Sequence, residues 1–182
     1  MVKLIAVEEP DEILLKYRNT PVERLFLYHN LGEKLPSTTV NAQLLVGKCI
    51  DHRKDLTIPN EFAYIIRRAG ANLHGSEFEI SYAIAVGGVS TIALLAHTDC
   101  GMSHVTEKRD VFIDGLVERA GCSLEQASEQ FDKQAESYHI EDPVEFILNQ
   151  MAWLQSLYPK VLIAPLLYRV EDDRLVQIVD IA

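Results

Sequence analysis

Cysteine is scarce in this chain, with three residues at positions 49, 100 and 122. An odd count makes a poor disulfide framework, so these thiols are expected to be reduced and to serve as buried small residues, nucleophiles or metal ligands. Positive charge is also short: 17 Lys and Arg stand against 27 Asp and Glu, a net charge of −10. That balance repels phosphate backbones and leaves no basic stripe, so no nucleic-acid partner is expected and a small-molecule substrate is. No apolar run approaches the roughly 18 residues of a membrane span, so no membrane partner is expected. The opening MVKLIAVEEP lacks the longer apolar core and the cleavage site of a secretory signal, and a cytoplasmic location is expected. Internal repeats, low-complexity tracts and Gly/Ser linkers are missing too. The 182 residues suffice for one well-buried core, so residues 1–182 are read as a single domain.

What is present is an alternation of strand and helix signals. From Asp11 to about His29, apolar residues at Ile13, Leu14, Tyr17, Leu25 and Phe26 recur at helical spacing interrupted by Asn19-Thr20-Pro21, so residues 1–40 are expected to form a helical arm of one broken helix or two short ones. Gln43–Ile50, with its unbroken Leu44-Leu45-Val46, reads as a strand buried on both faces. Ala63–Arg67 is a second, shorter strand. Ser76 and Glu79 form a capping-box pattern for a helix to about Val86, which Gly87-Gly88 stops. The β-branched, apolar Thr91–Ala96 is a third buried strand. Ser123 with Gln126 opens a helix whose face is Leu124, Ala127, Phe131, Ala135 and Tyr138; Asp142-Pro143 opens another, burying Val144, Ile147, Leu148, Met151, Leu154 and Leu157. Val161–Val170 and Leu175–Ile181 flank Glu171-Asp172-Asp173-Arg174 as a closing hairpin. The expected class is α/β: a mainly parallel central β-sheet flanked by helices, with an antiparallel C-terminal strand. In such sheets ligands collect at the carboxyl ends of strands.

Two polar motifs fall at such ends. In Cys49-x-Asp51-x-Arg53, residues spaced by two along an extended segment would point to one side, and three polar groups leaving a buried strand together need to serve one another or an ion. Arg53 is able to hold Asp51 in a charge-assisted, bidentate pair. In His97-x-x-Cys100, where a strand breaks into a turn, an imidazole and a thiolate can converge on one ion. Two sulfurs and one nitrogen suit Zn2+, and three protein ligands leave a fourth tetrahedral position open, which is the arrangement of a catalytic site. A helix starting near Ser103 would favour an ionised Cys100. Each motif alone is a frequent chance match; the two together, at the ends of strands expected in one sheet, are far more specific. Cys122 has no ligand type at metal spacing and reads as a buried or incidental thiol. His52, His104 and His29 read as surface or packing residues ahead of proton relays.

Cys49-x-Asp51-x-Arg53, Arg67-Arg68-Ala69-Gly70 and His97-Thr98-Asp99-Cys100-Gly101-Met102, in that order, resemble the β-class carbonic anhydrases, and most of all their compact archaeal and bacterial branch. The resemblance runs from about Leu44 to Met102. It implies a zinc lyase that reversibly hydrates carbon dioxide to bicarbonate by zinc-bound hydroxide, with Cys49, His97 and Cys100 as ligands and Asp51 and Arg53 as the catalytic dyad. It implies that the Asp51 carboxylate accepts a hydrogen bond from the metal's water, or ligates the metal itself when its arginine lets go. It also implies a homodimer or dimer of dimers, with the N-terminal arm on a partner subunit. Two thiolates offset the ion's charge, so the water should be less acidic than on three neutral imidazoles, which gives Asp51 more to do. Four positions depart from the family pattern: His52 replaces a small residue, Arg68 and Ala71 of Arg68-Ala69-Gly70-Ala71 stand where Asn-Ala-Gly-Asn is usual, and Ala96 stands for glycine. These line the pocket and keep two alternatives open: hydrolysis of carbonyl sulfide or carbon disulfide on the same scaffold, and a non-catalytic, zinc-stabilised anion-binding protein with Asp51 in the fourth metal position.

Overall fold

In the computed structural model of the chain, which describes residues 1–34, 41–53 and 55–180, β4 (Thr91–His97) is buried along its whole length at the centre of the sheet. Its apolar run explains the position, because both faces are covered. Ala93 and Leu95 face a cluster with Leu25, Phe26, Tyr17 and Ile13 of the N-terminal arm. Ile92, Leu94 and Ala96 face the opposite cluster with Ile80, Ile147 and Leu154. The remaining strands are β1 (Val2–Ile5), β2 (Leu44–Lys48), β3 (Ala63–Arg67), β5 (Leu162–Arg169) and β6 (Arg174–Asp180), and the sheet order is β1-β6-β5-β4-β2-β3. Strands β3, β2, β4 and β5 are parallel; β6 runs antiparallel to both β5 and β1. The helices are α1 (Pro21–His29), α2 (Glu77–Ala85), α3 (Arg109–Ala120), α4 (Leu124–Tyr138) and α5 (Pro143–Leu157). This is the expected α/β class with its antiparallel C-terminal strand. None of the helices among the described residues is long and apolar enough to cross a membrane.

The arm forms two short 3-10 turns, Pro10–Glu12 and Leu15–Tyr17, before α1, which Thr20 caps by accepting from the Val22 amide. Ile13, Tyr17, Leu25 and Phe26 are buried in the chain's own core with Leu14 packed against them, while Leu15 is exposed; the part of the arm expected at 35–40 lies outside the described residues, as does Ile181 at the end of the last strand. Two elements were not legible from periodicity. Strand β1 is a brief edge strand, exposed at Val2 and Leu4, so it carries no buried pattern. Helix α3 buries only Ile113 and packs mainly on α4, so it shows no apolar stripe. The capping box expected at Ser76 does not form: the Ser76 hydroxyl instead accepts from Arg68 Nη1 at 3.4 Å, and the Glu77 carboxylate takes the Gly75 amide at 3.1 Å. The boxes at Ser123 and the Asp142 cap form as the sequence indicates.

The sheet winds in opposite directions from β2 and β4: β2 leads outward to β3, while β4 leads the other way to β5. Neighbouring strand ends that part company open a crevice at their carboxyl edge. With Lys48 paired to Leu95, the segments after β2 and β4 emerge side by side into that crevice.

The arm is tied to β6 by a buried amide. Asn30 Nδ2 donates to the carbonyls of Val7 (3.0 Å) and Leu175 (2.8 Å), and its Oδ1 accepts from the Leu175 amide at 3.0 Å. Truncating it leaves three buried backbone groups unpaired, so Asn30→Ala is expected to lower the unfolding free energy by about 2 kcal/mol or more in urea titration; an unchanged midpoint would show that water replaces the amide there.

Candidate metal centre

Strand β2 stops at Lys48, and the chain turns at once: Cys49 is buried, Ile50 is exposed, and the next residues fold back. His97 is the last residue of β4 and is 2% exposed. Its Nδ1 stands 2.8 Å from the Thr98 carbonyl. A carbonyl only accepts, so Nδ1 carries the proton and Nε2 presents a bare lone pair. That Nε2 is buried without any hydrogen-bond partner. The turn behind it is pinned, because the Thr98 amide donates to the Tyr168 carbonyl (3.0 Å), while its hydroxyl accepts from Val170 and donates to Glu171 (2.9 Å each). Asp99 then takes φ 53°, which swings the chain so that buried Cys100 faces back toward His97.

The Sγ atoms of Cys49 and Cys100 and a ring nitrogen of His97 lie within 4.8 Å of one another. A tetrahedral ion with Zn–S of about 2.3 Å and Zn–N of about 2.0–2.1 Å spaces its ligand atoms by roughly 3.5–3.8 Å, so little movement closes the set. An orphaned imidazole nitrogen aimed between two thiols is costly in a buried site and fits a metal that takes its lone pair. The Cys49 thiol is held well below the usual thiol range, first by the hydrogen bond from Cys100, against the opposing effect of burial, and then by His97 and the amides of Asp51 and Gly70. No α-helix begins at Ser103: a four-residue 3-10 turn, Gly101–His104, follows Cys100, and α3 starts only at Arg109. Local N–H and S–H donors favour the Cys49 thiolate, and the helix expected to favour an ionised Cys100 is not there. Gly70 belongs to this cradle; its φ is +63°, and a Cβ there would stand 2.3 Å from Ile140 Cδ1.

Asp51 and Arg53 do pair, by a mechanism other than strand alternation. The segment is a turn in which Asp51 Oδ1 accepts from the Arg53 amide (2.9 Å) and Nε (3.1 Å), while Oδ2 accepts from Nη2 at 2.7 Å. Arg67 Nη2 fixes the same turn by donating to the Asp51 carbonyl at 2.8 Å. The guanidinium also reaches the other loop: Nη1 donates to Asp99 Oδ2 (2.6 Å) and Nη2 to the Asp99 carbonyl (2.9 Å). Asp51 and, second, Asp99 raise the Arg53 pKa still further, so the guanidinium stays charged.

Among the other candidates, His52 is exposed, and exposed His104 makes only a 3.5 Å contact to Glu107. His29 Nδ1 accepts from the Thr57 amide, and the ring packs on Tyr168 in a buried setting that lowers its pKa. Cys122 is half-buried beyond α3 and outside the cluster. Sequence reasoning gave no role to Asp99, Arg67 or Gly70, although all three sit inside the quoted motifs. It also gave no hint of a cavity of about 490 Å³ between the Arg68-Ala69 turn, Met102 and Val105, and the α3–α4 hairpin at Phe112 and Phe131.

A family profile described as carbonic anhydrase matches residues 46–175. No curated protein sequence matches the chain. Among solved structures, the carbonic anhydrase from Glaciozyma antarctica aligns with a TM-score of 0.59 at 22% identity, over 91% of this chain and 99% of its own. The carbonic anhydrase from Streptococcus mutans aligns at 0.57 and 19%, over 90% and 98%. The apo form of a carbon disulfide hydrolase aligns at 0.54 and 26%, over 89% and 90%.

Co2+ added to metal-free protein is expected to give thiolate-to-metal charge-transfer absorption. Cys49→Ala and His97→Ala should weaken binding by at least about tenfold, since even outer partners of metal ligands are worth that much. Absorption and affinity that survive both substitutions would remove this cluster as the metal site.

Proposed function

Because the chain belongs to the carbonic anhydrase family, we propose that it is a zinc enzyme of the β class that reversibly hydrates carbon dioxide to bicarbonate, with Cys49, His97 and Cys100 as ligands and Asp51 and Arg53 as the dyad beside them. The observation that carries the reading is the unpartnered, buried Nε2 of His97 among two thiols, next to a carboxylate gripped by a guanidinium. Zn2+ bound there would lower the pKa of a water at its open position toward about 7 and so supply a nucleophile at neutral pH. The protein's part is orientation. Arg53 uses Nε and Nη2 on Asp51, which keeps that carboxylate an acceptor in a fixed direction. An Asp51 oxygen that accepts the proton of the attacking water leaves its lone pair directed at the carbon of the substrate. Addition of water to carbon dioxide then yields bicarbonate and one proton. The Asp51 side chain is 14% exposed, so it is largely shielded from bulk solvent.

A second reading, hydrolysis of carbon disulfide or carbonyl sulfide, is favoured by the apolar cavity of about 490 Å³ beside the Cys100–Met102 turn, roomier than carbon dioxide requires. The carbon disulfide hydrolase in the comparison points the same way. The free thiols support a reducing compartment, the cytoplasm, as the location.

A homodimer is part of the proposal. Strand β3 is an unpaired edge, and Tyr64 and Ile65 on it, with Phe78, Tyr82 and Val86 of α2, leave apolar side chains exposed. Most of the arm's apolar residues pack inside the chain, Leu15 excepted, and the wider exposed apolar face lies at this edge. Sedimentation is expected to show a dimer that Ile65→Lys with Phe78→Glu converts to monomer; a wild-type monomer at micromolar concentration would rule it out.

Stopped-flow hydration of carbon dioxide, run beside carbonyl sulfide and carbon disulfide turnover, separates the two enzymatic readings. Asp51→Ala is expected to retain the metal and lose at least about tenfold in kcat/KM. A metal-loaded wild type inactive on all three substrates would instead favour a non-catalytic, anion-binding protein.

A further inference from the structure

We propose that Asp99 is a positioning residue that locks Arg53 from the second loop and thereby keeps Asp51 off the metal's open position; this rests on the metal reading above. Arg53 has five N–H donors in a rigid fork. One side of the fork, Nε and Nη2, grips Asp51, and the other side, Nη1 together with Nη2, is taken by the carboxylate and the carbonyl of Asp99. Arg53 is thus the clasp between the loop after β2 and the loop after β4. Without Asp99, every contact of Arg53 described above falls within its own turn, and its side chain is 38% exposed. An exposed arginine that loses such an anchor must order its long side chain to hold a partner, which weakens the pair it retains.

The backbone supports an assigned role. Asp99 adopts φ 53°, a conformation that costs an L residue and that Asp and Asn tolerate best. That twist lets both of its oxygen types address one guanidinium while the next residue, Cys100, turns into the cluster. Of the two acids Asp51 is the less exposed, at 14% against 76% for Asp99. A carboxylate beside a divalent cation either pairs with its arginine or ligates the cation, so whatever holds the arginine in place sets the balance. Asp99 is a brace outside the site, and Asp51 is the group it acts through.

The test uses the Co2+-substituted protein and azide, a monodentate anion that competes for the open position. In Asp99→Ala the azide Kd, read by visible absorption, is expected to rise about threefold to tenfold, with a matching change of the ligand-field spectrum before azide is added. Asp99→Asn, which tolerates the same backbone conformation and keeps an acceptor, is expected to restore part of that affinity. In an Asp51→Ala background the Asp99→Ala effect is expected to vanish, because no carboxylate is left to close on the metal. An unchanged Kd and spectrum in Asp99→Ala at full metal content overturns the proposal. A loss that persists in the Asp51→Ala background also overturns it, since the residue then acts through the backbone of the His97–Cys100 turn. Wild-type protein without thiolate–Co2+ absorption overturns the metal reading itself and this inference with it.

Discussion

Everything chemical in this molecule depends on one buried lone pair. Among the described residues His97 Nε2 makes no hydrogen bond, since Nδ1 is committed to the Thr98 carbonyl and the sulfurs of Cys49 and Cys100 stand where a metal would gather all three. A polar atom left so is a standing cost in a folded protein unless an ion or a water takes it. The sheet pins the atom there: His97 is the last residue of the most buried strand, so it cannot turn outward without dragging β4 out of both core clusters. Fold stability and site geometry are for that reason the same constraint seen from two sides.

Around that centre, the second layer is electrostatic and local. The turn at Asp51 to Arg53 closes on itself through a backbone amide and a guanidinium, and Arg53 then spans to Asp99, so the two loops that bring Cys49 and Cys100 together are joined by one cation between two carboxylates. The pairing is exposed enough that it contributes little to overall stability. Its consequence is directional: it decides where a carboxylate oxygen points in relation to the cluster. The mainly apolar cavity under the α3–α4 hairpin is a separate feature, one of shape and not of charge.

Strands and helices with two buried faces or a clear stripe were legible residue by residue. β2, β4, α4 and α5 fall within a residue or two of the sequence reading, since burial imposes a period on the side chains; β3, half-exposed, was legible from its β-forming Tyr64-Ile65-Ile66 run instead. β1 and α3 were not legible for the complementary reason: one is an edge strand with exposed Val2 and Leu4, and the other buries little beyond Ile113. Ser76 shows the limit of local signals. Its capping pattern is sound, yet Arg68 donates to the Ser76 hydroxyl and the Leu73 carbonyl takes the Ser76 amide, so both groups the box would have used are engaged elsewhere.

The sequence by itself determined the cysteine and histidine types of the cluster, their spacing within each motif and the acid–guanidinium pair, because those depend only on which side chains exist and how far apart they sit along the chain. It also determined the α/β class, through periodicity. The tertiary structure decided that Cys49 and His97-x-x-Cys100 meet at all, by pairing β2 with β4 so that Lys48 stands opposite Leu95. It decided that Arg53 reaches Asp99 across two loops, that Gly70 at φ +63° lends an amide to Cys49, and that the dyad forms in a turn instead of along a strand. Contacts between segments distant in sequence are set by which strands become neighbours, and no spacing within a single motif carries that information.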